Sequence, residues 1–366
     1  MPTPPRNAIL GVSKNKMQLN RLIAEALLDP DFYISATQNG HSLTLAGVDD
    51  VPVEIKMGVR VEREDLASSH EEADPIIIQH AISRCMEGEK VRVVSDDTDV
   101  FLLLLHFYVS KECTSDLYIC SPVAGRSIVD LKATAQKNKD MTKAILVMHA
   151  LTGTDTVAAT YNVGKKLALK TLQAIDPETL SIIGVPQADL NEVCSSGSAF
   201  LIACFGKTYA DCKSMTECRL KMWKKKTGAG TSIKLSRLPP TTEATNENIK
   251  RAHYQVAHWL TAMSGIPPSL SPNNHGWERD GSVLKPCAVT PGTKLAHDEI
   301  LQMVRCGCEK SACKGALCKC SLIGCTVFCA CEAGPLCLNP LTKRSEVSDD
   351  GEAEHNDSDD EDDDGQ

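Results

Sequence analysis

The pattern of apolar and polar positions predicts short strands alternating with helices. Val91, Val93 and Val94 form a β-branched run that is typical of a buried strand. Segment 100–107 follows, and it is too long and too rich in leucine to be a second strand without a turn. We therefore expect a buried helix directly after the strand.

Three aspartates, Asp96, Asp97 and Asp99, lie in the turn between this strand and this helix. Open α/β sheets bind their ligands at such turns, beyond the carboxyl ends of the strands. Crowded carboxylates repel one another unless a cation lies between them, and a divalent cation such as Mg²⁺ suits oxygen ligands. The alternative is a solvated turn in which one aspartate caps the helix. The turn alone leaves both interpretations open.

The same patterns predict further elements on both sides of this turn. Helices are expected over 14–28, 76–85, 143–151, 167–174 and 246–263, and strands over 42–46 and 116–120. Segment 265–301 is rich in proline and glycine with little periodicity, which predicts a loop or linker.

Glu72 and Asp74 precede the predicted helix 76–85. Ser69 and Glu72 fit a capping box, whereas Asp74 and Pro75 fit an N-cap followed by proline in the first helical position. Carboxylates are favoured at a helix start in either case. Capping alone is therefore a sufficient explanation for both acids.

Asp155 adds a third acidic position, in the loop after helix 143–151. Acids from three separate elements are what hydrolysis of a phosphodiester by two cations requires. A glycine turn and two lysines come next, Gly164, Lys165 and Lys166, at the start of helix 167–174. Exposed backbone N–H groups and positive charge there suit a phosphate, although an ordinary turn has the same composition.

These motifs together resemble the flap endonuclease/XPG family of PIN-like nucleases. The resemblance rests on Glu72-Ala73-Asp74, Asp97-Thr98-Asp99, Leu151-Thr152-Gly153-Thr154-Asp155 and Val163-Gly164-Lys165-Lys166-Leu167-Ala168. It implies an α/β domain over 1–235 with a central sheet between helices, and a Mg²⁺- or Mn²⁺-dependent endonuclease or exonuclease acting on DNA. Glu72 and Asp74 would bind one ion and Asp97, Asp99 and Asp155 the other, while Gly164, Lys165 and Lys166 would hold the DNA backbone.

The chain departs from this family upstream of its first acidic pair. The family carries further metal-binding aspartates on an earlier strand, typically in a Phe-Asp-Gly-like motif, and nothing before Ser69 matches it. Asp49-Asp50 is the upstream acidic pair, and its context is that of a loop. Pro75 also departs from the usual helix sequence. These differences favour an alternative, a non-catalytic DNA-binding or chromatin protein derived from a mobile element.

Nine of the 17 cysteines lie within segment 306–337, namely Cys306, Cys308, Cys313, Cys318, Cys320, Cys325, Cys329, Cys331 and Cys337. An odd number in an intracellular chain favours metal over disulfides. About three tetrahedral zinc ions would be satisfied if three of the thiolates bridge. Few apolar residues are available for a core, so the metal would have to supply the folding energy.

This cluster resembles the tesmin-type CXC domain, a zinc module that binds DNA, and we expect it to span 305–341. It differs from that domain in a shorter gap between Cys320 and Cys325, and in Leu317 where DNA-contacting members have tyrosine. The pairing of an acidic domain with a cysteine cluster also resembles uncharacterised, mobile-element-like animal proteins. Segment 236–304 is expected to be a helix and linker between the two.

The net charge of −9 is concentrated at the end of the chain. Segment 345–366 holds 12 of the 48 acids and no lysine or arginine, so we expect a disordered acidic tail. The other 36 acids face 39 bases, a balance of +3, so any basic patch for DNA must be local. No apolar run predicts a signal peptide or membrane span, which suggests a nuclear or cytoplasmic protein.

Overall fold

The computed structural model describes residues 6–228, 234–281 and 283–293, together with all nine cysteines of segment 306–337 and a few of their neighbours. The predicted acidic tail over 345–366 and Leu317 lie outside the described residues. The chain divides into two compact units, Met1–Pro291 and Gly292–Gln366.

Helices make up most of the first unit. In chain order they are α1 (Arg6–Leu10), α2 (Ser13–Leu27), α3 (Pro30–Ala36), α4 (Ala73–Met86), α5 (Thr98–Ser110), α6 (Leu131–Asn138), α7 (Thr142–Leu151), α8 (Lys165–Leu172), α9 (Leu190–Cys204), α10 (Met215–Gly228) and α11 (Thr242–Trp259). The helices and strands predicted between 14 and 263 are therefore present, with ends that differ by a few residues.

The strands form three small sheets. They are β1 (Ser42–Leu45), β2 (Val53–Lys56), β3 (Val59–Glu62), β4 (Val91–Val94), β5 (Leu117–Cys120), β6 (Val129–Asp130), β7 (Trp277–Asp280) and β8 (Val283–Pro286). Strands β1, β2 and β3 pair antiparallel, β4 runs parallel to β5, and β5 pairs antiparallel with β6. The architecture is thus mixed α/β, and the single central sheet that the nuclease resemblance implies stays a prediction.

Strand β4 is less buried than its sequence predicts. Val91 and Val93 pack against the core, but Arg92 and Val94 face solvent, and Val94 is 63% exposed. Among the described strands β4 pairs with β5 alone, and helices cover one of its faces. The β-branched run therefore reflects strand formation at a sheet edge rather than burial on both faces.

Helix α5 is the buried helix that the apolar segment predicts. Leu103 and Leu104 are fully buried, and burial of a leucine side chain contributes about 2 kcal/mol. The helix packs between α4 and α7, and α7 in turn packs against α11. Its burial on several sides fixes where α4, α5 and α7 end relative to one another.

The segment expected to be a loop, 265–301, contains the β7–β8 hairpin. Arg251 of α11 holds this hairpin, because its guanidinium donates hydrogen bonds to the carbonyl oxygens of Gly276, at 2.8 Å, and Cys287, at 2.9 Å. Gly276 has a φ of +81°, and a Cβ there would lie 2.3 Å from the Glu247 carbonyl oxygen. Only glycine allows this close approach to α11.

Candidate metal centres

Two helices begin at the acidic positions. Asp97 is the N-cap of α5, and its carboxylate accepts a hydrogen bond from the Asp99 N–H at 2.8 Å. Helix α4 begins after Glu72, with Asp74 in its first turn. In this described segment neither predicted cap of α4 forms, since Glu72 occupies the N-cap position and its side chain caps nothing. Side-chain capping thus accounts for Asp97 alone among these acids, whereas Asp74 has the favourable position of a carboxylate in the first helical turn.

Asp74, Asp97 and Asp99 form one group, which we call the acidic group. One carboxylate oxygen from each lies within 4.8 Å of the others, a spacing that suits ligands of a single cation. Asp96 does not belong to the group, because it forms an ion pair with Arg126 at 3.1 Å. Two of the three aspartates in the sequence motif therefore belong to the acidic group, and the third forms a surface ion pair.

Glu72 and Asp155 lie close enough to the acidic group for their charges to act on it. Burial, and then repulsion from Asp97, Asp99, Glu72 and Asp155, raises the pKa of Asp74 to about 6. Loss of hydration and the neighbouring carboxylates also raise the pKa of Glu72, against a hydrogen bond from Gln255. The structure thus brings the five predicted acids into one electrostatic neighbourhood, where a cation would relieve their repulsion.

The loop that presents Asp155 depends on Gly153. This glycine has a φ of +116°, and a Cβ on it would lie 2.9 Å from the Ala159 side chain. The side chain of Asn248 in α11 then fixes the loop, since it accepts from the Ala158 N–H at 3.1 Å and donates to the Ala158 oxygen at 2.8 Å. The glycine of the sequence motif is therefore required by the turn itself.

The ammonium group of Lys165 forms hydrogen bonds within the protein. Its Nζ donates to the carbonyl oxygens of His149 and Gly153, at 2.5 Å each. Partial burial lowers its pKa to about 8, and the nearby charge of Asp99 opposes this shift. Lys166 is exposed, and a Cβ on Gly164 would meet open space. Gly164 and Lys166 of the predicted phosphate contact are therefore exposed. Lys165 instead joins the start of α8 to the end of α7.

His149 is a site residue that the sequence analysis missed. Its Nε2–H donates to Asp99 Oδ1 at 2.6 Å, and its ring stacks on that of the buried Trp259, with centroids 6.3 Å apart. A histidine bonded to a ligating carboxylate fixes the orientation of that carboxylate. The signal in the sequence was a titratable residue inside the otherwise apolar helix 143–151.

Gln255 of α11 was also missed. It donates to Glu72 at 3.2 Å and accepts from the Thr156 hydroxyl at 2.8 Å, so it joins the start of α4 to the Asp155 loop. Gln255 is 183 positions from Glu72 and 99 positions from Thr156 in the sequence. No local pattern could have indicated the contact.

The nine cysteines of the second unit converge on one another. Sγ–Sγ distances are 3.8 Å from Cys306 to both Cys313 and Cys325, 3.6 Å between Cys320 and Cys329, and 3.8 Å between Cys331 and Cys337. A disulfide is far shorter, at about 2.0 Å. Thiolates about 2.3 Å from a tetrahedral ion lie about 3.8 Å apart, so the spacing is that of metal ligands.

The cysteines form three overlapping groups of four. They are Cys306, Cys313, Cys318 and Cys325; Cys306, Cys320, Cys325 and Cys329; and Cys313, Cys325, Cys331 and Cys337. The Cys308 thiol also contacts those of Cys306, Cys313 and Cys318. If Cys308 takes the place of Cys325 in the first group, then Cys306, Cys313 and Cys325 each belong to two groups. These three would be the bridging thiolates that the sequence analysis predicts.

Asn339 supports the shared thiol of Cys325. Its buried side-chain amide donates to Cys325 Sγ at 3.4 Å and to the Cys320 carbonyl oxygen at 2.7 Å. Burial, together with repulsion from Cys329, raises the pKa of Cys320 to about 12. Thiolates in this cluster therefore need a cation to balance them.

Among the described residues no helix has the length and apolar character needed to cross a membrane. Comparison of the chain with models of known protein families, with curated proteins and with solved structures finds no match. The geometry of the side chains is therefore the basis for assigning a function, and it allows both centres to hold metal ions.

Proposed function

We propose that the acidic group binds a divalent cation, Mg²⁺ or Mn²⁺, and hydrolyses phosphodiester bonds in DNA. One observation carries this proposal: three carboxylates from two helices meet within the span of one ion, with two further acids beside them. Asp99 is also held by a buried histidine, an arrangement that is typical of metal ligands.

The residues around the acidic group would have separate roles. Asp74, Asp97 and Asp99 would hold the ion, and Glu72 and Asp155 would complete a second position, as the nuclease resemblance implies. A bound cation would supply an activated water and stabilise the charge on the phosphate. Gly164 and Lys166, at the exposed start of α8, would contact the DNA backbone. His149 and Lys165 would keep Asp99 and the Asp155 loop in place.

The test is cleavage of end-labelled DNA by the purified full-length chain in Mg²⁺ or Mn²⁺, with single-stranded, duplex and branched substrates. Asp97→Asn and Asp99→Asn should each abolish cleavage. Asparagine is preferable to alanine at position 97, because it preserves the cap of α5, whose loss would cost about 1 kcal/mol.

Asp96→Asn is the matched control. This residue is adjacent in sequence but bonds Arg126 instead of joining the acidic group, so its variant should cleave as the wild type does. Cleavage that survives Asp99→Asn, or that is lost equally in Asp96→Asn, would remove the acidic group from the reaction.

A second candidate function is binding without catalysis. Among the described acids, only Asp74, Asp97 and Asp99 approach within the span of one ion, whereas the two-cation mechanism needs ligands for two. One cation held there would stabilise the fold and leave DNA intact. Cation-dependent stabilisation without cleavage of any substrate would favour this function.

We infer that the cysteine cluster binds about three zinc ions and serves as a DNA-binding module. Support comes from the tetrahedral sulfur spacing and from the sharing of cysteines between groups. Zinc is the ion that thiolate-only tetrahedral sites most often hold. The DNA-binding role rests on the resemblance to the CXC domain.

A further inference from the structure

Strand β3 forms an open edge of the first sheet. Among the described strands it pairs with β2 alone, and all four of its residues, Val59, Arg60, Val61 and Glu62, are exposed. Val59 and Val61 are 62% and 51% exposed, and no proline interrupts the strand. A groove of about 380 Å³, lined by Arg60, Val61, Glu62 and Val53, lies beside it. An edge of this kind is a template for pairing with a further strand.

The turn before β3 determines which of its backbone groups are free. Met57 and Gly58 both have a positive φ, of +51° and +77°, so they form a two-residue type I′ turn between β2 and β3. The hydrogen bond that closes such a turn directs the Val59 N–H toward β2. Because the direction alternates along an antiparallel strand, the N–H and C=O groups of Arg60 and Glu62 point away from β2.

Both ends of β3 are held by other parts of the chain. The Gly58 N–H donates to the hydroxyl of the buried Thr37 at 3.3 Å. After the other end, the Arg63 N–H donates to the Pro52 carbonyl oxygen at 2.8 Å, and the Arg63 guanidinium pairs with Glu54 at 2.6 Å. The strand is therefore held extended before any partner binds, which lowers the entropy cost of pairing.

The charges of this edge are complementary to those of a second copy of the same edge. Arg60 and Glu62 have no ion pair in the part of the chain that the structure describes, whereas the adjacent Arg63 has one. If two β3 strands meet antiparallel about a twofold axis at Val61, each Arg60 lies directly opposite the Glu62 of the other copy. Opposite charges in this position stabilise the pairing of strands, and like charges oppose it.

The backbone favours the same register. The outward-facing groups of Arg60 and Glu62 then form two hydrogen-bonded pairs, one on each side of the axis, and each pair exchanges two bonds. Val61 faces its counterpart in the non-hydrogen-bonded pair between them. Moving the axis to Arg60 or to Glu62 also pairs outward-facing groups, but it puts two like charges opposite each other on the axis. Charge and backbone geometry thus select one register.

We propose that this protein forms a twofold-symmetric dimer in which the β3 strands of two chains pair antiparallel, with Val61 on the axis. The pairing joins the three-stranded sheets of two chains into one continuous sheet. The interface is isologous, since each chain contributes the same surface. It uses no residue of the acidic group or of the cysteine cluster, so it stands whether or not the acidic group is catalytic.

Sedimentation equilibrium of zinc-loaded, full-length protein over a range of concentrations measures the dimerisation constant. The wild type should reach a mass twice that of one chain at the upper concentrations. Arg60→Glu and Glu62→Arg should each weaken dimerisation about tenfold, because both symmetric pairs change from opposite to like charges. The double variant Arg60→Glu/Glu62→Arg should restore dimerisation, since opposite charges again face each other.

Arg92→Glu is the matched control. Arg92 is an exposed arginine on β4, an edge strand of another sheet, so the same change of charge there should leave dimerisation unchanged. A wild type that stays monomeric at the highest concentration would leave the edge to a strand of another protein and overturn the proposal. A double variant as weak as the single variants, or an equal loss in Arg92→Glu, would also overturn it.

Disulfide crosslinking tests the register. Val61→Cys places two thiols across the non-hydrogen-bonded pair, where Cα atoms lie about 4.5 Å apart, a distance that a disulfide spans. After mild air oxidation, mass spectrometry of non-reduced peptides should find a crosslink between the two copies of position 61. Val59→Cys is the control, because position 59 would lie about 14 Å from its counterpart, too far for a disulfide. A crosslink in Val59→Cys and none in Val61→Cys would contradict the proposed pairing.

Discussion

The acidic group and the cysteine cluster gather their ligands in opposite ways. Asp74, Asp97 and Asp99 extend from α4 and α5, and those helices pack through fully buried residues such as Ile78 and Leu103. In the described part of the second unit, the packed apolar cluster consists of the cysteines themselves. The acidic group is therefore built on a core that exists without an ion, whereas in the second unit the cysteines themselves form the core.

This difference separates two roles for a metal ion. An ion at the acidic group can bind and leave while the fold persists, which is what repeated catalysis requires. Ions bound in the cysteine cluster would supply its folding energy, which for structural zinc is on the order of 10 kcal/mol. Hard oxygen ligands and soft thiolates also select different ions, so the two centres need not compete for one metal.

The largest expected effect is the response to a strong zinc chelator. Amides in segment 306–339 should lose their protection against hydrogen exchange, while those of α5 and α7 keep theirs, because only the cluster depends on its ions for a core. Hydrogen–deuterium exchange with mass spectrometry measures both regions in one sample. Equal loss of protection in both would contradict the distinction between the two centres.

Cysteine variants sharpen the same prediction. Cys325→Ser should lose more than one zinc ion, because Cys325 belongs to more than one group of ligands. Cys120→Ser, at a cysteine of β5 outside the cluster, is the matched control and should retain about three. Native mass spectrometry of the full-length chain counts the ions. A single ion in the wild type would overturn the bridged arrangement.

Acid should destabilise the first unit through a buried histidine. His253 is fully buried, and burial, with the nearby His275, lowers its pKa to about 4. The unfolded chain binds this proton near pH 6.5 and the folded chain only near pH 4. Stability is therefore complete above pH 6.5 and falls as the pH drops toward 4, by up to about 1.4 kcal/mol per pH unit for this group.

Urea unfolding followed by tryptophan fluorescence measures this effect in the first unit alone, because all three tryptophans precede residue 291. His253→Gln should make the pH dependence less steep by the contribution of one proton, while His106 and His258, whose pKa values burial also lowers to about 4, continue to titrate. His41→Gln, at an exposed histidine, should preserve it. Identical pH dependence of stability in the wild type and in His253→Gln would show that the fold does not keep His253 neutral.

Mn²⁺ should stabilise the first unit by a smaller amount. At a concentration about 100 times its dissociation constant, a cation bound only to the folded state adds about 2.7 kcal/mol and raises the Tm by about 5–10 °C. Asp99→Asn should lose this shift and Asp96→Asn should keep it. Thermal unfolding followed by tryptophan fluorescence is the measurement, and identical shifts in the two variants would place the ion elsewhere.

The smallest expected effect concerns His149. His149→Phe removes the hydrogen bond to Asp99 but keeps a ring against Trp259, so Mn²⁺ affinity should fall about tenfold. His149→Gln, which can still donate, should recover part of the affinity. Calorimetric titration measures both, and the Tm without Mn²⁺ separates a positioning role from general destabilisation. An unchanged affinity in His149→Phe would make the histidine purely structural.

Local patterns were sufficient for some parts of this molecule. The apolar segments predict α5 and α7 because both helices consist mainly of consecutive apolar residues that are buried. The acidic motifs beside those helices identify Asp97 and Asp99, and the spacing of the nine cysteines identifies the second centre. Each of these features is encoded within a short stretch of chain.

Other parts depend on residues that are distant in sequence. The first strand of the β7–β8 hairpin is polar, so its sequence has no apolar pattern and the prediction of a loop was wrong. The position of the hairpin also depends on Arg251, which is distant in sequence. The single-faced burial of β4 depends on which strands flank it. The roles of His149 and Gln255 arise only when α5, α7 and α11 pack together.

Anomalous diffraction from crystals of zinc-loaded protein grown with Mn²⁺ tests most directly whether the molecule holds two metal centres of different kinds. Data collected on both sides of the zinc absorption edge distinguish the two metals by position. We expect manganese between the carboxylates of Asp74, Asp97 and Asp99, and about three zinc ions among the cysteines. No manganese at the acidic group, or cysteines joined as disulfides without metal, would contradict this expectation.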